Sequence, residues 1–251
     1  MLISQRKKLI LSRLQRDGQL IAKTLSQELG LSEDTIRRDL RELAEEGRLQ
    51  RVHGGALPAS PAVIDFAGRQ RLGTEGKAAI GRAAAAMVRP GQVVILDGGT
   101  TAVQVARQLD PDLRATIVTH SPTIAVELVD HVHVDVVLLG GRLFKHSVVA
   151  VGAAVIEAMG RVLADTFFMG VTGIHPEAGL STGDLEEAHV KRALSRRAAE
   201  TIVLASTEKL HAASAYVIAP LSEVSGMIVE PNVSEDLIAP FRDAGLTVTR
   251  A

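Results

Sequence analysis

The chain of 251 residues contains no cysteine and no tryptophan, one tyrosine and five phenylalanines. Without cysteine it can have neither a disulfide framework nor a thiolate nucleophile or metal ligand. With aromatics at 2% and hydrophobic residues at 46%, the core has to be assembled from Val, Leu, Ile and Ala. Such residues suit strands buried on both faces of a parallel sheet. No uninterrupted apolar run is long enough to span a bilayer. The opening MLISQRKKLI lacks the apolar stretch and small-residue cleavage site of a signal peptide. The expectation is a cytoplasmic protein with no membrane partner.

Neither sign of charge dominates, the formal net charge being −1. The distribution is less even. Residues 1–57 hold 11 Lys or Arg against 8 Asp or Glu, whereas the remainder holds 17 against 21. A basic head on an acidic body is compatible with nucleic-acid binding, although so small an imbalance also arises by chance.

The head reads as three short helices. Ser4 precedes a periodic run from Gln5 to Gln15, with Leu9, Ile10 and Leu14 on one face and Arg6, Lys7, Lys8 and Arg13 on the other. Asp17-Gly18 stops that run, and Gly30 ends a second helix over Ala22–Leu29. Ser32 caps a third, whose Ile36, Leu40 and Leu43 form a buried stripe at i, i+4, i+7. Steps of 100° set Arg38 almost opposite that stripe, with Arg41 to one side, Thr35 to the other and Arg37 at the boundary. On an arbitrary surface helix these arginines would be a solvated face. After two helices and a tight turn they match a recognition helix that enters the major groove. Arg51 and His53, beside the Gly54-Gly55 pair, suit a hairpin wing near a phosphate.

Residues 57–73, with Pro58, Pro61, Gly68 and Gly73, read as a linker containing a short helix around Phe66, Arg69 and Arg71. From Thr74 onward helices and apolar strands alternate, which implies an α/β domain with a mainly parallel sheet. In this reading 1–57 is a winged helix-turn-helix, 58–73 a linker and 74–251 an effector-binding domain. Within the last, Val148–Met159 reads as one helix.

Ligands of such sheets bind beyond the carboxyl ends of the strands. The first strand there leads into Asp97-Gly98-Gly99-Thr100-Thr101, a glycine-rich turn opening a helix, where N–H groups and hydroxyls can meet an anion. Further strand ends supply Thr119-His120-Ser121, Gly140-Gly141-Arg142 and Ser206-Thr207-Glu208-Lys209. A single Gly-Gly pair is usually just a turn; recurrence at several strand ends points to a pocket. The candidate effector residues are Asp97, Gly98, Gly99, Thr100, Thr101, Thr119, His120, Ser121, Gly141, Arg142 and Lys209. His131-x-His133 has no evident third ligand, so no metal site is expected, and neither a nucleophile elbow nor a Walker loop occurs.

Thr35-Ile36-Arg37-Arg38-Asp39-Leu40 followed by Arg51-Val52-His53-Gly54-Gly55-Ala56 resembles the DeoR family of bacterial transcriptional regulators. The resemblance continues through Asp97–Thr101, Leu139–Arg142, Phe168–Ile174, Gly179–Thr182, Glu186–Ala188 and Lys191-Arg192, over nearly the whole chain. It implies a sensor domain similar in fold to ribose-5-phosphate isomerase, phosphorylated sugars or related intermediates as effectors, no cofactor, and operator DNA as partner. The chain departs from the family pattern in two places. His120 stands where Thr-Asn-Ser is common, and Ser206-Thr207-Glu208-Lys209 where Asp-x-Ser-Lys is. Ser32, Thr35, Arg37, Arg38, Arg41, Arg51 and His53 are the expected DNA contacts. Operator symmetry calls for a homodimer or homotetramer. The reading is therefore a repressor of a carbohydrate operon and not an enzyme. The alternative is a sugar-phosphate isomerase carrying an accessory N-terminal domain. A basic head would have no use in that enzyme.

Overall fold

The protein is described from a computed structural model that covers residues 1–60 and 64–251; Pro61 of the expected linker lies outside the described residues. The N-terminal part consists of α1 (Ile3–Asp17), β1 (Leu20–Ile21), α2 (Ala22–Leu29), α3 (Glu33–Glu45), β2 (Leu49–Val52) and β3 (Gly55–Pro58). Ile10, Leu14, Leu25, Ile36, Leu40 and Leu43 form its core. β2 and β3 make an antiparallel hairpin whose free edge pairs with β1. The Gly54-Gly55 pair is dictated by this hairpin. Gly54 turns at φ +77°, and a Cβ on Gly55 would stand 1.9 Å from the Leu20 carbonyl.

Two expectations fail here. Ser4 is not a cap, because α1 already begins at Ile3 and Leu2 occupies the N-cap. Arg6 does not face solvent: it is buried and ion-paired with Asp39 of α3. The periodicity of α1 marked its apolar stripe but did not reveal that a cation on the flank meets a carboxylate from another helix.

The larger part continues with α4 (Phe66–Arg69), α5 (Thr74–Ala85), β4 (Val93–Leu96), α6 (Thr100–Arg107), β5 (Ala115–Thr119), α7 (Pro122–Glu127), β6 (Val134–Leu138), β7 (Arg142–Phe144), β8 (Val149–Val151) and α8 (Ala153–Met159). It ends with β9 (Ala164–Gly170), β10 (Gly173–His175), β11 (Gly179–Thr182), α9 (Leu185–Ser195), β12 (Ala198–Ala205), β13 (Tyr216–Ala219), β14 (Gly226–Val229), α10 (Glu235–Asp243) and β15 (Thr247–Arg250). Seven parallel strands lie in the order β15-β14-β12-β9-β4-β5-β6. Alternate residues feed opposite faces. Ile95, Phe167, Met169 and Val203 pack under α8, α9 and α10. Val94, Leu96, Phe168 and Leu204 pack under α5, α6 and α7. Both faces are covered, which explains the near-continuous apolar strands. The chain order reverses between β4 and β9, the topological switch point at which such sheets bind ligands.

The segment read as one helix over Val148–Met159 is strand β8 followed by the shorter α8, and β8 pairs with β7. Strands of three residues carry too little periodicity to be told from a helix start. A small sheet, β10-β11-β13, was likewise not anticipated. The expected linker is not an exposed tether at its ends: Phe66 joins the core of the larger part, and Ala59 bridges Ala213.

Candidate functional site

Two regions carry chemistry. The first is the outer face of α3 with the β2–β3 hairpin. The Ser32 hydroxyl caps α3, accepting the Thr35 N–H at 3.2 Å. Arg37, Arg38 and Arg41 are exposed, as are Arg51 and His53 on the hairpin. Arg37 donates to Glu33 one turn earlier at 2.7 Å. Among the described residues Arg38 and Arg41 have no ion-pair partner, so their guanidinium groups remain available to phosphates or base edges. Three helices with a β-hairpin beside the exposed one have the plan of a winged helix-turn-helix.

The second is a cleft at the carboxyl ends of β4, β9 and β12. Gly98–Ala102 form one wall, where the N-terminus of α6 presents N–H groups without intrahelical partners. Gly98 is required there, since a Cβ would lie 2.1 Å from Val149 of β8. Thr172, Thr182 and Glu187 also line it, and the Thr182 hydroxyl donates to Glu187 at 2.8 Å. Four cations, Arg69, Lys77, Lys191 and Lys209, face two carboxylates, Glu187 and Glu208. The cleft is therefore suited to an anion.

The four cations are held differently. Lys191 is buried against Asp97 and lies 3.4 Å from Glu187. Burial alone would lower its pKa, but Asp97 and then Glu187 raise it above the ordinary lysine value. Lys209 is also buried, yet among the described residues its Nζ bonds only Thr101 Oγ1 and the Leu204 carbonyl, each at 3.4 Å. Burial pushes its pKa down to about 8. Burial likewise lowers those of Lys77 and Arg69.

The sequence-predicted residues divide into three groups. Gly98, Gly99, Thr100, Thr101 and Lys209 line the cleft. Asp97, Thr119, His120 and Ser121 are fully buried behind it. Asp97 accepts from the Gly98 and Gly170 N–H groups at 2.8 Å each, from His120 Nε2 at 2.7 Å and from Lys191. Burial alone would raise its pKa; Lys191 and His120 hold it far below the carboxylate range. His120 Nδ1 meets the Ala150 carbonyl at 2.8 Å, so both ring nitrogens are engaged inside the wall. The expectation that His120 faces the ligand is thereby corrected: it braces Asp97 from within the wall. Gly141 and Arg142 lie outside the cleft, Arg142 being exposed at the start of β7.

Arg69, Lys77, Lys191 and Thr172 were not singled out as ligand contacts. Glu187 and Lys191 are four apart on α9, a spacing readable in sequence. Lys77 offers no such signal, since a lone lysine in an Ala-rich helix reads as solvated. His131 Nε2 bonds the Asp110 carbonyl at 2.9 Å, and among the described residues no three His, Asp or Glu side chains converge as metal ligands do. No described helix is long and apolar enough to cross a membrane.

Comparison with known proteins matches residues 6–61 to the DeoR-like helix-turn-helix domain and residues 73–231 to the DeoR C terminal sensor domain. The chain is 34% identical over 250 residues to the HTH-type transcriptional regulator GlpR of Haloferax volcanii, covering 99% of this chain and 98% of that protein. It is 33% identical over 223 residues to the HTH-type transcriptional repressor GlcR of Bacillus subtilis, covering 88% and 86%. Ribose 5-phosphate isomerase A of Methanocaldococcus jannaschii is a loose structural likeness, with a TM-score of 0.40, 18% identity and coverage of 53% and 52%.

Proposed function

The chain belongs to the DeoR family of transcriptional regulators, and on that premise we propose that it represses a carbohydrate-metabolism operon under the control of a phosphorylated sugar or related metabolite. Residues 1–57 grip operator DNA through Arg38 and Arg41 of α3, with Ser32, Thr35, Arg37, Arg51 and His53 contributing phosphate or rim contacts. Residues 74–251 hold the effector, and 58–73 connect the two. Operator symmetry requires a homodimer or homotetramer, acting in the cytoplasm.

The observation that carries the effector reading is the cleft at the β4/β9 switch point, with a helix N-terminus on one wall and buried Lys209 beside it. A phosphate there gains the N–H groups of Thr100 and Thr101, the α6 dipole and a charge-assisted bond to Lys209. Thr172, Thr182 and Glu187, also in the lining, are suited to ligand hydroxyls. Asp97 is the wall's internal strut. Bound by four donors, it makes a poor general base, which weighs against the isomerase alternative.

Thermal-shift screening with a panel of sugar phosphates tests this. A ligand at 100 times its Kd should stabilise the protein by about 2.7 kcal/mol. Thr100→Val and Lys209→Ala should reduce that shift while leaving DNA binding intact. A cognate ligand that binds both variants as tightly as the parent would put the effector site elsewhere.

A further inference from the structure

The segment joining the DNA-binding helices to the sensor is itself part of the cleft wall. Arg69 and Leu72, from α4 and the turn after it, line the cleft beside Lys77 of α5. Lys77 is buried and directs its ammonium at the backbone of this segment, donating to the Arg69 carbonyl at 2.9 Å and the Leu72 carbonyl at 2.5 Å. Its nearest carboxylate is Glu208, at 4.0 Å. The Arg69 guanidinium donates to the Ile64 carbonyl at 2.9 Å, and among the described residues no carboxylate lies within 4 Å of it. Lys77 thus ties the backbone of this segment to α5, while Arg69, itself in the segment, bonds the Ile64 carbonyl and lies 3.5 Å from His146 Nε2, in the turn between β7 and β8.

The other end of the same segment is also tied to the cleft. Thr172 Oγ1, on the cleft wall, is 2.7 Å from Ser214 Oγ, which is 2.6 Å from Ser60 Oγ, two residues beyond β3. Ala59 and Ala213 form a backbone bridge alongside.

We propose that Arg69 and Lys77 are effector contacts as well as the latch of the interdomain segment, so that an anion in the cleft draws their donors away from the Ile64, Arg69 and Leu72 carbonyls and loosens the segment that carries the winged helix. The proposal rests on the anion-site reading above. Its physical basis is competition. A hydrogen bond from a cation to a phosphate oxygen is stronger than one to a neutral carbonyl, and within a buried site the gain is largest. A ligand bound near Lys209 and the α6 N-terminus therefore has a direct route to the DNA-binding part. The contact chain Ser60–Ser214–Thr172 keeps the exit from β3 registered on the sensor while the middle of the segment yields.

Hydrogen exchange of the full chain tests the latch, with inorganic phosphate as the probe. In the ligand-free protein Lys77→Met should raise exchange at residues 66–72 by roughly tenfold, the worth of one or two net hydrogen bonds. Arg69→Gln, a milder change at a half-exposed position, should raise exchange at 64–69 if Lys77→Met fails to fold. Phosphate should raise the melting temperature of the parent and accelerate exchange at 66–72. Both effects should shrink in Arg69→Gln and Lys77→Met. Unchanged exchange in the ligand-free variants would overturn the latch. Phosphate stabilisation that is lost in Lys209→Ala but retained in Arg69→Gln and Lys77→Met would overturn their role as contacts while leaving the anion site intact. Failure of phosphate at any concentration to shift the parent would count against the anion site itself. The latch would then stand or fall on the ligand-free exchange alone.

Discussion

Lys191 and Lys209 show how environment decides what a residue does. Both are buried at the same cleft, yet Lys191 is neutralised by Asp97 and Glu187, whereas Lys209 has no carboxylate within ion-pair distance among the described residues. Lys191 is held in structural charge balance, and in the proposed function Lys209 is the charge that meets the ligand. With its pKa lowered by burial to about 8, despite the opposing pull of Glu208 and with the support of Lys77, Arg69 and Lys191, Lys209 loses its proton in the mildly alkaline range. An anion stabilises the protonated form, so its binding must take up a proton near pH 8. Calorimetric affinity for a phosphorylated ligand should fall as pH rises from 7 to 9, and the heat should depend on the buffer's ionisation enthalpy. Pairing off Lys209 as Lys191 is paired would abolish both effects. The stability of the ligand-free protein should move the opposite way, rising between about pH 8 and the unfolded lysine value near 10.4, because there the unfolded chain binds the extra proton. Lys209 was legible in sequence through its place after a strand. His120 and Asp97 were legible as neighbours of the site but not as its buried strut, because nothing in a linear pattern tells that Gly170 and Lys191 converge on the same carboxylate.

At the scale of elements, what the sequence revealed followed from the strength of each period. α3 carries an i, i+4, i+7 stripe, an N-cap serine and acidic residues in its first turn, and the structure has its cap and its exposed arginines where the pattern put them. The seven central strands were legible as short runs bounded by turns, rich in Val and Ile in β4, β5, β6, β12 and β14 and carried by Phe167, Phe168 and Met169 in β9. The β7–β8 hairpin and the β10-β11-β13 sheet were not, since they pair antiparallel beside a parallel sheet and so break the helix–strand alternation by which the central strands were read. The arginines on α3 lead to graded expectations. Arg38→Ala should weaken specific DNA binding by about 1–3 kcal/mol if its guanidinium reads a base edge. Arg41→Ala should weaken binding comparably or act as a phosphate contact with a shallower salt slope. Arg37→Ala should do less, since Glu33 already engages that side chain. Fluorescence anisotropy with selected duplexes at several salt concentrations would measure all three, and equal affinity across the series would remove α3 from the interface.

The molecule as a whole is a DNA-reading part and a ligand-holding part joined by a segment packed against the second. Sequence reading made that segment a linker on the strength of its prolines and glycines. Phe66 in the sensor core and the Lys77 bonds to its backbone make it an attached strap, a difference visible only once distant residues meet. Control of DNA binding by a ligand requires that the ligand bind the two states with different affinity, and the coupling is reciprocal. The most direct test uses duplexes selected by the protein from a random pool and a sugar phosphate found by thermal shift. Ligand affinity is measured by calorimetry with and without the duplex, and duplex affinity with and without the ligand. The account predicts that each lowers the other's affinity by the same factor; identical ligand affinities with and without DNA would contradict it.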